Sequence, residues 1–146
     1  MDEPAADPAA PAPGPITPAV VAVVVTHEPG TWFDEGLRAL AAQDYPDLTV
    51  LVVDAGSTVD PTERVAAACP TAFVRRIDTN PGFGAAANEA LETVEGASYL
   101  LVCHDDIALS PGAVTASSRR RAGPTPAWSG PRCPSGTTPA SCWRWA

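Results

Sequence analysis

Four short apolar runs, separated by stretches of helical spacing, constrain this chain more than any other feature. Ala19–Thr26 (Ala-Val-Val-Ala-Val-Val-Val-Thr) is dense in β-branched residues and reads as a central strand. His27-Glu-Pro-Gly30 breaks it, after which Trp32, Phe33, Leu37, Leu40 and Ala41 recur at helical spacing up to Gln43-Asp-Tyr-Pro46. Leu48–Val53 is a second strand, ending at Asp54-Ala-Gly-Ser57. Asp60-Pro-Thr-Glu63 then marks a helix start, with Asp60 at the N-cap, Pro61 at the first helical position and Glu63 at the third; that helix stops near Cys69-Pro70. Ala72–Ile77 is a third strand, and Arg75 and Arg76 within it place it nearer a sheet edge. Asn80-Pro-Gly-Phe-Gly84 leads into an alanine-rich helix over Ala85–Val94, closed by Gly96. Tyr99-Leu-Leu-Val-Cys103 follows, read as a strand buried on both faces, and runs into His104, Asp105 and Asp106.

This β-α-β-α-β-α-β alternation at short spacing predicts an α/β fold: a Rossmann-like parallel sheet with helices on both faces. Right-handed crossovers put the first strand centrally, the second and third on one side and the fourth on the other, order 3-2-1-4. Ligands of open α/β sheets bind outside the carboxyl ends of the strands, where the order reverses. Asp54, the Gly82–Gly84 loop and Asp105/Asp106 all lie at or just beyond such ends and are expected to face one crevice. Two like charges at that edge repel unless something positive lies between them. A hard divalent cation, oxygen-ligated and shared with substrate phosphates, suits that place; the plainer alternative is two solvated acids opening a loop.

Charge is unevenly spread along the chain. All seventeen acids lie at or before Asp106, and beyond Val114 there are five arginines and no acid. The acidic body argues against nucleic acid as a partner. Residues 1–18, with six prolines and the acids Asp2, Glu3 and Asp7, read as a disordered leader too acidic for a signal peptide. The apolar run Val20–Val25 is far short of the ~20 residues of a membrane span. Cys69, Cys103, Cys133 and Cys142 have no C-x-x-C spacing, so neither zinc nor a disulfide framework is indicated, and reduced cytosolic thiols are expected.

Val23-Val-Val-Thr-His27, Ala42-Gln-Asp-Tyr-Pro46, Val52-Val-Asp-Ala-Gly-Ser-Thr58, Asn80-Pro-Gly-Phe-Gly-Ala-Ala-Ala-Asn88 and the acid-ended strand through Asp106 follow one another in an order that resembles inverting family 2 glycosyltransferases. The resemblance is greatest to the rhamnosyl- and galactofuranosyl-type members and covers residues 19–114. It implies the nucleotide-sugar-binding half of a GT-A domain that transfers a sugar from a nucleotide-diphosphate sugar to an acceptor hydroxyl, on a glycan or a lipid-linked acceptor. The setting it implies is cytoplasmic, with the inner face of the membrane as an alternative. Carried over, Thr26 and Glu28 would line the base pocket, Asp54 would accept a hydrogen bond from base or ribose, and Asn88 and Asp105 would contact the nucleotide sugar. Asp106, with His104, would hold Mg²⁺ or Mn²⁺ on the diphosphate. Each role has a plainer counterpart: Asp54 as the cap of the Gly56-Ser57 turn, Asn88 as a polar residue on an exposed helix face, His104 as a neutral hydrogen-bonding partner. The chain departs from the family pattern at Ala55, where a second acid is common, at His104, where the metal motif begins with an acid, and at Ala90, often Gly.

A rival reading is an NAD-type dinucleotide fold, since Gly82-Phe-Gly-Ala-Ala-Ala87 fits G-x-G-x-x-A after a strand and Asp105 follows about twenty residues on. Beyond Val114 the periodicity gives no helix or strand, and residues 115–146 read as a disordered tail that is out of frame. Read from the third base of GC-rich codons, Ala116-Ser-Ser-Arg-Arg-Arg-Ala122 can become Gly-Leu-Leu-Glu-Glu-Ala, and similar shifts further on restore helix, strand and turn patterns. The family's acceptor-binding half and catalytic base would lie past that point, so no catalytic residue is assigned within this chain. An incomplete GT-A domain, binding its donor weakly and transferring nothing, is the expectation.

Overall fold

The computed structural model describes residues 17–121. Eight elements follow in order: β1 (Val20–Thr26), α1 (Phe33–Ala41), β2 (Leu48–Ala55), α2 (Thr62–Ala68), β3 (Phe73–Ile77), α3 (Phe83–Thr93), β4 (Tyr99–His104) and α4 (Ala113–Arg121). The strands are all parallel and stand in the order β3-β2-β1-β4, as the right-handed crossovers require.

The valine runs of β1 and β2 are buried because both faces of the sheet are covered there. Ala22, Val24, Val50 and Val52 pack against Phe33, Leu37 and Leu40 of α1 and Val65 and Ala68 of α2. Val23, Val25, Leu51 and Val53 face the other way, onto Ala86 and Ala90 of α3. Those two alanines, one helical turn apart, bring α3 down onto the sheet. The thiols of Cys69 and Cys103 are free and buried in the first of these cores.

Three expectations are corrected. β4 is not buried on both faces: Leu100 and Val102 are 39% and 46% exposed, because α3 lies over β1 and β2 and no described element covers β4 on that side. Residues beyond Val114 do form a helix as far as Arg121. Its Val114 is buried with Val20 and Tyr45, and the Val114 N–H donates to Gln43 Oε1 at 3.2 Å, so tertiary anchoring starts α4 where periodicity offered no signal. β2 runs two residues further than expected, which makes Asp54 a strand residue rather than a loop residue. The leader residues 1–16 and the tail residues 122–146 lie outside the described residues. No described helix is long and apolar enough to cross a membrane.

Candidate functional site

Register decides which side chains meet at the carboxyl edge. Thr26 of β1 is paired with Asp54 of β2, and Asp54 with Arg76 of β3. Arg76 Nε donates to Asp54 Oδ2 at 2.8 Å, and Thr26 Oγ1 donates to Asp105 Oδ2 at 2.6 Å just past β4. A row Arg76–Asp54–Thr26–Asp105 therefore crosses the whole sheet. With strands about 4.8 Å apart it is roughly 14 Å long, the scale of an extended small ligand.

The β3 end of the row is densely hydrogen-bonded. Asp54 is fully buried, and Ser57 donates to its Oδ1 through both its backbone N–H and its hydroxyl. Asp54 thus caps the Gly56-Ser57 turn and holds Arg76 as well. That bond raises the Arg76 guanidinium's pKa further above its ordinary value. Arg76 also donates to Ser57 O at 2.9 Å and to Asp60 Oδ2 at 3.1 Å. Gly56 turns at φ 68, and a Cβ there would stand 3.1 Å from the backbone of Asp78 and Thr79, so the turn is closed to side chains.

Glu28 joins the β1–α1 loop to this turn. Its N–H donates to Ser57 Oγ at 2.8 Å and its carboxylate accepts from the Thr58 N–H at 2.6 Å. The Thr58 bond holds the Glu28 carboxyl below the usual carboxylate range. Glu28 is in the left-handed region, φ 51, a conformation costing of order 1 kcal/mol that only such cross-bracing sustains. His27 Nδ1 lies 2.7 Å from Ala55 O, and Arg64 of α2 donates to Pro29 O, Gly30 O and Asp34.

The β4 end is open. His104 Nδ1 lies 2.9 Å from Asp105 Oδ1 and 3.2 Å from Asp106 Oδ1, with His104 and Asp106 both more than half exposed. One donor atom from each of the three residues falls within 4.8 Å of the others. Two carboxylate oxygens and an imidazole nitrogen are a donor set that Mg²⁺ tolerates and Mn²⁺ suits well. The His104 ring stacks on Phe83, centroids 5.3 Å apart, which ties the start of α3 to this cluster. Behind it, Gly36 of α1 lets the helix touch the chain after β4: a Cβ there would fall 2.7 Å from Ile107 O.

The structure thus joins Thr26, Asp54 and Asp105 in one row, sets Glu28 beside its β3 end and gathers His104, Asp105 and Asp106 at the other. Asn88 stands apart. It is exposed on α3, about 140° around the helix from Phe83, and no hydrogen bond ties it to the row among the described residues. Arg76, Ser57, Arg64, Phe83 and Gly36 were not singled out from sequence as site residues. The glycine fingerprint follows β3, the edge strand, rather than a central strand at the switch point, so the dinucleotide reading is not favoured.

The sequence profile described as "Glycosyl transferase family 2" matches residues 21–116. The chain belongs to glycosyl transferase family 2. Among solved structures, residues 1–349 of S. aureus TarS align at 26% identity and a TM-score of 0.60, covering 69% of this chain and 31% of that one. TarS 1–349 in complex with UDP-GlcNAc gives 27% identity, a TM-score of 0.60 and coverage of 69% and 30%. The mannosyltransferase PcManGT from Pyrobaculum calidifontis, in complex with GDP-Man and Mn²⁺, gives 27%, 0.55, and 63% and 28%. This family 2 chain therefore spans less than a third of the length of each of these structures. No curated protein matches it.

Proposed function

We propose that this family 2 chain binds a nucleotide-diphosphate sugar along the row, with the base toward Arg76 and the diphosphate toward His104, Asp105 and Asp106. The observation that carries this is the row itself, closed at one end by a fixed polar network and open at the other in a three-donor cluster. The complexes of TarS with UDP-GlcNAc and of PcManGT with GDP-Man and Mn²⁺ support the ligand class. Asp106 and His104 would hold Mg²⁺ or Mn²⁺, which when bound supplies positive charge against the diphosphate leaving group. Asp105, fixed by Thr26, orients the cluster, while Glu28 and Asp54 brace the loops that shape the base end. Asn88 is reached only by a ligand extending over α3.

The whole reaction would move the sugar to an acceptor hydroxyl of a glycan or lipid-linked acceptor in the cytoplasm. In that reaction a general base must take the acceptor's proton. Donor binding along the row is the expected behaviour. Calorimetry of the chain with UDP, GDP, dTDP and NAD in MnCl₂, with and without chelator, tests it. Binding of a nucleoside diphosphate that fades on chelation is expected. Binding of NAD alone sinks the donor reading. The gene's downstream DNA tests the frame: without a long open frame in the shifted phase, the out-of-frame tail is refuted.

A further inference from the structure

We infer that Gln43 and Asp44, at the corner between α1 and β2, are positioning residues for the His104–Asp105–Asp106 cluster, acting through the chain that follows it; the inference rests on the cation reading above. Both residues belong to the Ala42–Pro46 stretch, which the donor row leaves unused. Their hold is on the start of α4. Ser110-Pro-Gly-Ala113 is a turn with proline second and a left-handed glycine third, Gly112 at φ 79, closed by the Ala113 N–H on Ser110 O at 3.1 Å. Gly112 O then accepts the first helical bond, from the Ala116 N–H, so the N-cap of α4 has no side chain. A capping oxygen normally comes from that residue and takes an N–H of the first turn. Here Gln43 supplies it from elsewhere in the chain: its Oε1 accepts from the Val114 N–H at 3.2 Å.

The same amide grips the turn from its other side. Gln43 Nε2 donates to Ser110 O and to Ala39 O, both at 3.0 Å, which ties the turn to the last turn of α1. Asp44 Oδ1 accepts from the Thr115 hydroxyl at 2.6 Å, and its charge lies beside the first turn of α4, where a helix favours an anion. A Cβ at Gly112 would come within 3.4 Å of the Asp44 carboxylate, so the two chains meet closely. Residues 107–112 separate this clasp from Asp106. That short segment is held midway as well, since Leu109 packs against Val20, Tyr45 and Val114 and the Ile107 carbonyl meets α1 at Gly36. Asp105 and Asp106 are therefore suspended between the register of β4 and the clasp. Asp106 is 66% exposed and meets only His104 among the described residues, so its place depends on where the chain is held on either side.

Two measurements on the full chain test the assignment: backbone amide resonances without metal, and Mn²⁺ affinity by calorimetry. In Gln43→Ala the Asp105 and Asp106 resonances are expected to move. Its Mn²⁺ affinity should fall about fivefold, short of the roughly tenfold or more lost when a group bonded directly to a metal ligand is removed. Val53→Ala trims the core on the α3 side of the sheet, and should lower stability while leaving both readings unchanged. Asp44→Ala breaks one exposed bond and so serves where Gln43→Ala fails to fold; a smaller loss of affinity is expected, restored in Asp44→Asn, which keeps an oxygen for Thr115. Unmoved resonances and unaltered affinity in the clasp variants, or equal losses in Val53→Ala, overturn the inference alone by showing a merely structural role. No binding of Mn²⁺ by the unaltered chain overturns the cation reading and this inference with it.

Discussion

At the β3 end of the row a carboxylate without exposed surface is held by a serine and an arginine, and the loops around it are cross-bonded through Glu28, Thr58 and Arg64. At the β4 end His104 and Asp106 are 58% and 66% exposed and rest on each other, on Asp105 and on the ring of Phe83. The first region has its charges answered inside the protein. The second leaves two acids with only a histidine between them. A ligand bound as proposed would therefore meet a cross-bonded mould at one end and, at the other, a site whose charge is completed by what binds.

Substitutions should separate the two regions cleanly. Asp54→Ala strands Arg76 and both Ser57 donors, and is expected to cost about 3 kcal/mol of stability in urea denaturation. Asp106→Ala should leave stability unchanged or slightly improved, since it relieves like-charge repulsion, yet abolish Mn²⁺ binding by calorimetry. Equal stability losses at the two sites would erase the distinction. Gly36→Ala comes next in size. Helix propensity favours alanine by about 1 kcal/mol, but the Cβ would press on a backbone oxygen at 2.7 Å, and overpacking costs about 1–3 kcal/mol. A net loss of about 1 kcal/mol is expected, with weaker Mn²⁺ binding as the chain after β4 shifts; a gain in Tm would show that α1 does not press there.

The smallest effect concerns pH. Hydrogen bonds from Thr58 and Thr62 hold the carboxyls of Glu28 and Asp60 below their ordinary values of 4.5 and 3.8. Their folded pKa values lie under the unfolded ones, so on acidification the unfolded chain takes up protons first. Their stabilisation is present above the ordinary values and is lost as pH falls through the lowered ones. Glu28→Gln should flatten the fall of Tm below pH 4.5, and an unaltered slope would show that the Thr58 bond contributes nothing to it.

The fold was legible because it rests on periodicity: valine runs of the right length, helical spacing between them, and chirality to order the strands. The grouping of His104, Asp105 and Asp106 was legible too, since they are adjacent in the chain. The β3 end was not. Asp54 and Arg76 are twenty-two residues apart and meet only through the β2–β3 register, and no spacing rule announces that a strand arginine will turn onto a neighbouring strand's acid. β4 misled for a related reason. Five apolar residues in a row look the same whether both faces are covered or one, and the covering helix belongs to another part of the chain. Asp60 was placed one position late relative to its helix: Pro61 occupies the N-cap, and Asp60 reaches the Thr62 N–H from one residue further back.

The bare side of β4 has a further consequence. Leu100, Val102 and His104 alternate along the strand and so project from the same side of the sheet. Any surface laid over the two aliphatic residues would also strip water from the imidazole beside them. Attraction between an ion and carboxylates grows as the local dielectric falls. The grip on a cation held here as proposed would therefore be set partly by hydration two and four residues upstream.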